Sequence, residues 1–233
     1  MSDRKVAVVT GGGRGIGRAV CVKLAREGVH VVAAARTESQ LEETRQAVHA
    51  VSGSCDVVAV DLATDGGGAH LVEAALAVEG TVDILINAAG VAPCMPVDVW
   101  SVDEFRRMMD VNVTAVFDMC RLVWPVMKKQ GGGVMVNISS VAAIDPFPGL
   151  GAYGASKAWV NIWTKALAEE GRPFGIRTYA VGPGAVETEM LRGAFPDFPA
   201  EQCMSTEEIA DVIVGCTRDE LRFATGQVIY AKK

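Results

Sequence analysis

Short valine-rich runs alternate with amphipathic stretches from one end of this 233-residue chain to the other, and that alternation limits the folds open to it. Val6-Ala7-Val8-Val9, Val31-Val32-Ala33-Ala34-Ala35, Val57-Val58-Ala59-Val60 and Ile84-Leu85-Ile86 are apolar without a break. A strand with one wet face alternates polar and apolar residues. A continuous run is what a strand covered on both faces needs, as in a parallel sheet between two layers of helices. Strands are expected at 5–9, 29–34, 55–60, 82–86, 133–138, 175–181 and 226–230, and helices near 15–27, 38–50, 67–79, 102–129, 151–170 and 206–217. Strand followed by helix, repeated, builds parallel βαβ units, so the fold class is α/β, a doubly wound sheet with helices on both faces. Thr37-x-x-Gln40, Ser101-x-x-Glu104 and Ser205-x-x-Glu208 fit the capping box at three of the helix starts.

With half its residues hydrophobic the chain can bury one sizeable core, read as a single domain over 1–233. Aromatic residues are only 6 %, so Val, Ala, Leu, Ile and Met must build that core. A formal charge of −6 argues against nucleic acid or an anionic membrane as partner. No stretch approaches the length of a membrane span, and the apolar run near the N-terminus is too short for a signal peptide. The six cysteines have no metal-ligand spacing and the three histidines no acidic or cysteine neighbours, so no metal site is expected. Buried reduced thiols fit a cytoplasmic protein. Residues 188–204, broken by Pro196 and Pro199, interrupt the alternation and read as a flap over a pocket.

Gly11, Gly13, Gly15 and Gly17 lie between the first strand and the first helix, with Arg14 and Ile16 among them. Glycines there let the backbone approach a pyrophosphate, which then rests on the positive N-terminus of the helix. The spacing is G-x-x-x-G-x-G, and the strand-loop-helix context makes it a nucleotide loop. A carboxylate ending the second strand would grip the ribose hydroxyl of NAD. This chain has Ala35 and Arg36 there. Arg36, with Arg14 from the loop, can pair with a 2′-phosphate, which favours NADP(H) over NAD(H). Asp61 and Leu62 follow the third strand, and Asn87, Ala88 and Gly90 the fourth, all at the edge of the sheet where ligands bind.

Tyr153 and Lys157 are four apart in a helical stretch and share one face. An ammonium beside a phenol favours the phenolate and draws its pKa toward the working range, as a general acid or base requires. Ser140 ends a strand-like run thirteen residues before Tyr153 and can hydrogen-bond a substrate oxygen where charge develops.

These residues resemble, in order and spacing, the short-chain dehydrogenase/reductase family. The match runs through the loop at 10–17, Asp61, Asn87–Gly90, Asn112, Ser140, Tyr153, Lys157 and Pro183-Gly184-x-x-x-Thr188, and covers about residues 5–230. The resemblance implies a Rossmann-type sheet of seven parallel strands and a nicotinamide cofactor. It makes Tyr153 the general acid or base, and has Lys157 hold the nicotinamide ribose as well. Asn112 falls in a water-mediated proton relay, and Pro183, Gly184, Val186 and Thr188 against the nicotinamide carboxamide. Members that reduce 3-oxoacyl groups on a carrier protein are similar through residues 187–190. Two departures stand out: Tyr179 where relatives have asparagine, and Ala231-Lys232-Lys233 in place of a glycine-rich tail.

Cys94, Ile144, Phe147, Leu150, Met190 and Phe195 are the candidate substrate walls, with Ser140 and Tyr153 as polar handles. They suit a ketone or 3-oxoacyl group and no sugar phosphate. The expected activity is NADPH-dependent reduction of such a carbonyl to a secondary alcohol. An NAD-dependent alcohol dehydrogenase of the same family and a non-catalytic NADP-binding regulator remain open. Trp159, Ile162, Trp163 and Ala166 make the Tyr153 helix apolar nearly all round, which predicts a homodimer, or a homotetramer built from it, through this helix and the one at 102–129.

Overall fold

The computed structural model describes residues 4–233. Its elements run β1 (Val6–Thr10), α1 (Gly15–Arg26), β2 (His30–Ala35), α2 (Glu38–Ala50), β3 (Ser54–Ala59), α3 (Gly67–Glu79), β4 (Ile84–Asn87), α4 (Val102–Met109), α5 (Ala115–Gln130), β5 (Gly133–Ile138), α6 (Gly151–Gly171), β6 (Ile176–Pro183), α7 (Glu189–Ala194), α8 (Thr206–Gly215) and β7 (Val228–Ala231). All seven expected strands form within two residues of the expected bounds. They join one parallel sheet in the order β3-β2-β1-β4-β5-β6-β7.

The two-residue period of β1 divides the core. Ala7 and Val9 face a cluster with Leu24 of α1, Leu41 of α2 and Ile209 of α8. Val6 and Val8 face the other, with Leu71 of α3, Met119 of α5 and Leu167 of α6. Burying a side chain such as Leu24, Leu41 or Leu71 contributes about 1.5–3 kcal/mol, so helices on both faces hold the sheet. Connections leave β1 and β4, which are neighbours, toward opposite edges of the sheet. The crevice beyond their carboxyl ends is the switch point where such sheets bind ligands.

Three local expectations differ. Val57–Val60 was expected to be covered on both faces, but β3 is the edge strand and only Cys55 and Val58 of it are buried. The helix expected over 102–129 is interrupted by a π-helical turn at Asp110–Thr114 between α4 and α5. Capping boxes form at Ser101 and Ser205, whereas the Thr37 side chain makes no cap bond to α2. Tyr179, the unusual aromatic of β6, is fully buried and donates its hydroxyl proton to the Leu221 carbonyl at 2.7 Å.

All six cysteines are free, and only Cys94 is exposed. Burial pushes the thiols of Cys55 and Cys216 up to about 11 and that of Cys120 to about 12, so they stay protonated. Among the described residues no helix is long and apolar enough to cross a membrane, and no cluster of metal-ligating side chains occurs.

Candidate active site

The loop from β1 into α1 is built for close approach. Gly11 and Gly15 have φ of +66° and +52°, which side chains disfavour. A Cβ on Gly11 would lie 2.7 Å from the Ala89 nitrogen, and one on Gly17 would collide with the Gly11 carbonyl. Gly13 packs beside Ala35, where a Cβ would stand 3.0 Å from the alanine methyl. Two residues that the sequence did not single out brace this loop. Arg18 donates to the Gly13 carbonyl and the Thr44 hydroxyl, and buried Thr44 donates to the Gly12 carbonyl at 2.9 Å. A helix beginning at Gly15 with no acidic residue in its first turn leaves its positive end free for an anion.

Arg36 stands exposed just past β2, and no ion pair or hydrogen bond engages it among the described residues. Arg14 pairs with Glu189 at the start of α7, joining the glycine loop to the flap. Val60 donates to the Ala35 carbonyl at 2.9 Å, which brings Asp61 and Leu62 alongside Arg36. The Asp61 carboxylate accepts from the Ala63 nitrogen in a local turn. Asn87 points into the protein: its amide donates to Asn137, which donates to Thr164, tying β4 to β5 and α6.

Ser140, Tyr153 and Lys157 meet at the carboxyl edge of β5. Both Ser139 and Ser140 line a cavity, but the Ser139 hydroxyl is engaged in donating to the Lys157 carbonyl of α6. The Ser140 oxygen accepts from the Ala142 nitrogen at 3.1 Å, which leaves its proton free to donate. Burial pushes the Tyr153 phenol above its ordinary value, and its hydrogen bond with Ser140 partly offsets this. The lowering expected from Lys157 does not occur: burial raises the phenol and only the Ser140 hydrogen bond opposes it. Lys157 is itself buried; desolvation pulls it down to about 8, and its Nζ donates to the Ile138 carbonyl at 2.8 Å, 5.8 Å from the Tyr153 ring centre.

Asn112 sits in the π-helical turn and is wholly buried. Its amide nitrogen donates to the Val91 carbonyl (2.9 Å) and the Ser156 hydroxyl (3.1 Å), and its oxygen accepts from the Val91 nitrogen (2.9 Å). Ser156 in turn donates to the Tyr153 carbonyl at 2.7 Å. The side chain expected to hold a water is therefore occupied in clamping the loop after β4 to the helix that carries Tyr153. A Cβ on Gly90 would lie 3.4 Å from the Asn112 oxygen and 3.5 Å from Lys157 Nζ, so all three converge.

The cavity measures about 920 Å³. Ile16, Ala88, Gly90, Pro183, Gly184, Val186 and Thr188 line it among the expected cofactor residues, and Ile144, Phe147, Leu150, Met190 and Phe195 among the expected substrate walls. Thr188 also caps α7, accepting from the Leu191 nitrogen at 3.2 Å. Cys94 is a correction: it lies outside the lining, its exposed thiol directed to the Pro148 carbonyl at 3.8 Å. The flap is held by Arg192, which bonds Glu187 and the carbonyls of Pro196 and Phe198. Asp145, Glu201, Gln202, Tyr230, Lys232 and Lys233 also line the cavity, unanticipated from sequence because only the strand register and flap path bring them there.

A family model described as short chain dehydrogenase matches residues 5–198. A 3beta-hydroxysteroid dehydrogenase 1 from Eggerthella lenta is 33 % identical, over 97 % of this chain and 91 % of that one. Among solved structures, a 3-ketoacyl-(acyl-carrier-protein) reductase from Brucella melitensis complexed with NADH superposes with a TM-score of 0.89. It is 30 % identical, covering 98 % of this chain and 96 % of that one. A chain from Beutenbergia cavernae with bound NADP superposes at 0.90 with 32 % identity, over 97 % and 94 % of the two chains. The match over residues 5–198 and a relative one-third identical over nearly the whole chain show the family: the chain belongs to the short chain dehydrogenase family of oxidoreductases.

Proposed function

We propose that this protein is an NADP(H)-dependent oxidoreductase that reversibly reduces a ketone or 3-oxoacyl-type carbonyl to a secondary alcohol. The observation that carries the reading is the convergence of Ser140, Tyr153 and Lys157 on a cavity that Ile16, next to the glycine loop, also lines. The loop fits a dinucleotide: glycine at 11 lets it close on Ala88 and Ala89 and glycine at 17 lets it fold onto α1, which leaves backbone at the helix N-terminus for a pyrophosphate. Gly15, Ile16, Ala88, Pro183, Gly184, Val186 and Thr188 would hold the cofactor, with Asp61 and Leu62 toward its adenine. Bound there, nicotinamide supplies or accepts the hydride.

The chain's own groups manage the proton and the developing charge. Ser140 donates a hydrogen bond to the substrate oxygen. Tyr153, its phenol kept protonated at neutral pH by burial, gives its proton to that oxygen in reduction and takes it back in oxidation. The Lys157 ammonium, buried nearby, stabilises the phenolate left behind. Asn112 acts as a positioning residue through Val91 and Ser156.

Arg36 supports NADP(H): an unengaged guanidinium at the end of β2, with no carboxylate at that turn, suits a 2′-phosphate. Phe117 of α5 packs at a tilt against Trp163 of α6, and both Phe117 and Ile162 are exposed, so we place a homodimer on this apolar face. Two such dimers could pair further. The six free thiols fit the reducing cytoplasm. An NADPH oxidation assay over ketones, 3-oxoacyl thioesters and quinones tests the activity. Turnover of an apolar ketone or 3-oxoacyl thioester is expected, and its absence across the panel would overturn the reading.

A further inference from the structure

Two cations line the substrate end of the cavity, and the proposed chemistry uses neither. Lys232 and Lys233 directly follow β7. Register sets Ala231 beside Pro183, Gly184 donates to the Ala231 carbonyl at 2.7 Å, and a Cβ on Gly184 would lie 3.0 Å from the Lys232 Cβ. A Cβ on Gly182 would stand 2.6 Å from the Tyr230 ring and 3.4 Å from the Ser140 carbonyl carbon, so β6 has Tyr230 of β7 and the serine's own backbone as neighbours at one glycine. The two lysines therefore emerge on the same edge as Ser140. Neither ammonium is paired with a carboxylate among the described residues.

Topology separates them from the phosphates of a dinucleotide. At about 4.8 Å per strand, β7 lies roughly 19 Å from β1, where α1 begins, but only about 10 Å from β5, which Ser140 follows. A group held by these ammoniums is therefore on the substrate, several bonds from the carbonyl. The other charges in the lining are buried Lys157 and the carboxylates of Asp145, after β5, and Glu201, in the flap. Ile144, Phe147, Leu150, Met190 and Phe195 give the same cavity its apolar walls.

We infer that Lys232 and Lys233 form a head-group site for a compact oxyanion, and that the cavity takes an apolar oxo acid instead of a neutral ketone. The inference rests on the oxidoreductase reading above and names the substrate class for the same cavity. Exposed ammoniums act weakly one at a time, but two on one carboxylate are expected to favour it by roughly tenfold at low salt.

The test compares a medium-chain oxo carboxylate, its sulfonate analogue and its neutral primary amide in wild type and in Lys232→Gln/Lys233→Gln. The expected wild-type ratio of kcat/KM, acid over amide, is about ten at 0.1 M salt, carried by KM. It should shrink at 1 M, where the Debye length drops from about 10 to 3 Å. In the double variant the ratio should approach one. Preference for both anions assigns a general oxyanion site; preference for one names the head group. Equal use of acid and amide by the wild type, an equal loss on both in the variant, or a variant whose only defect is weaker cofactor binding would overturn the proposal.

Calorimetry with the saturated acid and amide, which cannot react, separates the two readings. Lysine-dependent binding of the acid without turnover of any ketone keeps the head-group site and removes the oxidoreductase. Turnover with no preference for binding the acid does the reverse.

Discussion

Replacing Asn112 by leucine tests how the two halves of the site are joined. The side chains are similar in volume, so packing is largely kept while three hydrogen bonds vanish: two to Val91 and one to Ser156. Ser156 keeps its bond to the Tyr153 carbonyl, so the main cost is the unpaired Val91 N–H and C=O. Each buried backbone group left without a partner costs about 1–3 kcal/mol. Val91 is only half-buried and water recovers part of this, which leaves a loss of about 3 kcal/mol. In a domain of this size 1 kcal/mol moves Tm by roughly 2–4 °C, so Tm should fall by about 6–12 °C. Turnover should fall as well, because Gly90 and Val91 are then free to move relative to α6. Calorimetric melting and steady-state assays on the same preparations read both effects. A Tm within about 2 °C of wild type, with kcat unchanged, would refute the clamp.

Lys157→Met should stabilise the protein at neutral pH while abolishing activity. Burial lowers the folded lysine to about 8, below its ordinary value of about 10.4, so between those values the unfolded chain holds more protons and wild-type stability rises with pH. The cost is fully present below about pH 8. The variant should therefore gain up to about 3 kcal/mol at pH 7 and lose that gain by roughly pH 10.5; urea melts showing equal differences at both pH values would contradict this. Because burial raises Tyr153, alcohol oxidation should keep climbing past the ordinary phenol value of about 10, with ketone reduction level through neutrality. An oxidation plateau already reached at neutral pH would argue otherwise. Arg36→Ala should weaken NADPH at least tenfold and leave NADH nearly untouched, since charge-assisted hydrogen bonds contribute about 1.5–3 kcal/mol; unchanged NADPH affinity would remove the NADP(H) preference.

Much of the fold was legible because β-strand burial leaves a direct trace: four unbroken apolar runs and a glycine loop at the first strand suffice for a doubly wound sheet. The same signal misled at β3, since Val57–Val60 reads alike whether one face or two are covered and only topology makes it an edge. The π-helical turn was invisible because Asp-Val-Asn-Val-Thr continues the apolar period of the helices around it. Spacing sufficed to bring Tyr153 and Lys157 onto one face, but the direction of the Tyr153 shift depends on desolvation, which no motif records. Cys94 was counted among the apolar walls, yet its thiol turns to the Pro148 carbonyl. Lys232 and Lys233 carried no signal in the sequence, because only strand register lays Lys232 beside Gly184.

The most direct test of the central claim is Tyr153→Phe, assayed for turnover and, by fluorescence, for NADPH binding. Phenylalanine keeps the ring and removes only the proton donor. Turnover should fall by about 10²–10⁴, with cofactor affinity within roughly twofold of wild type, since the glycine loop and Arg36 are untouched. A variant retaining more than about a tenth of wild-type turnover would show that Tyr153 is not the proton donor, and the proposed mechanism would fall.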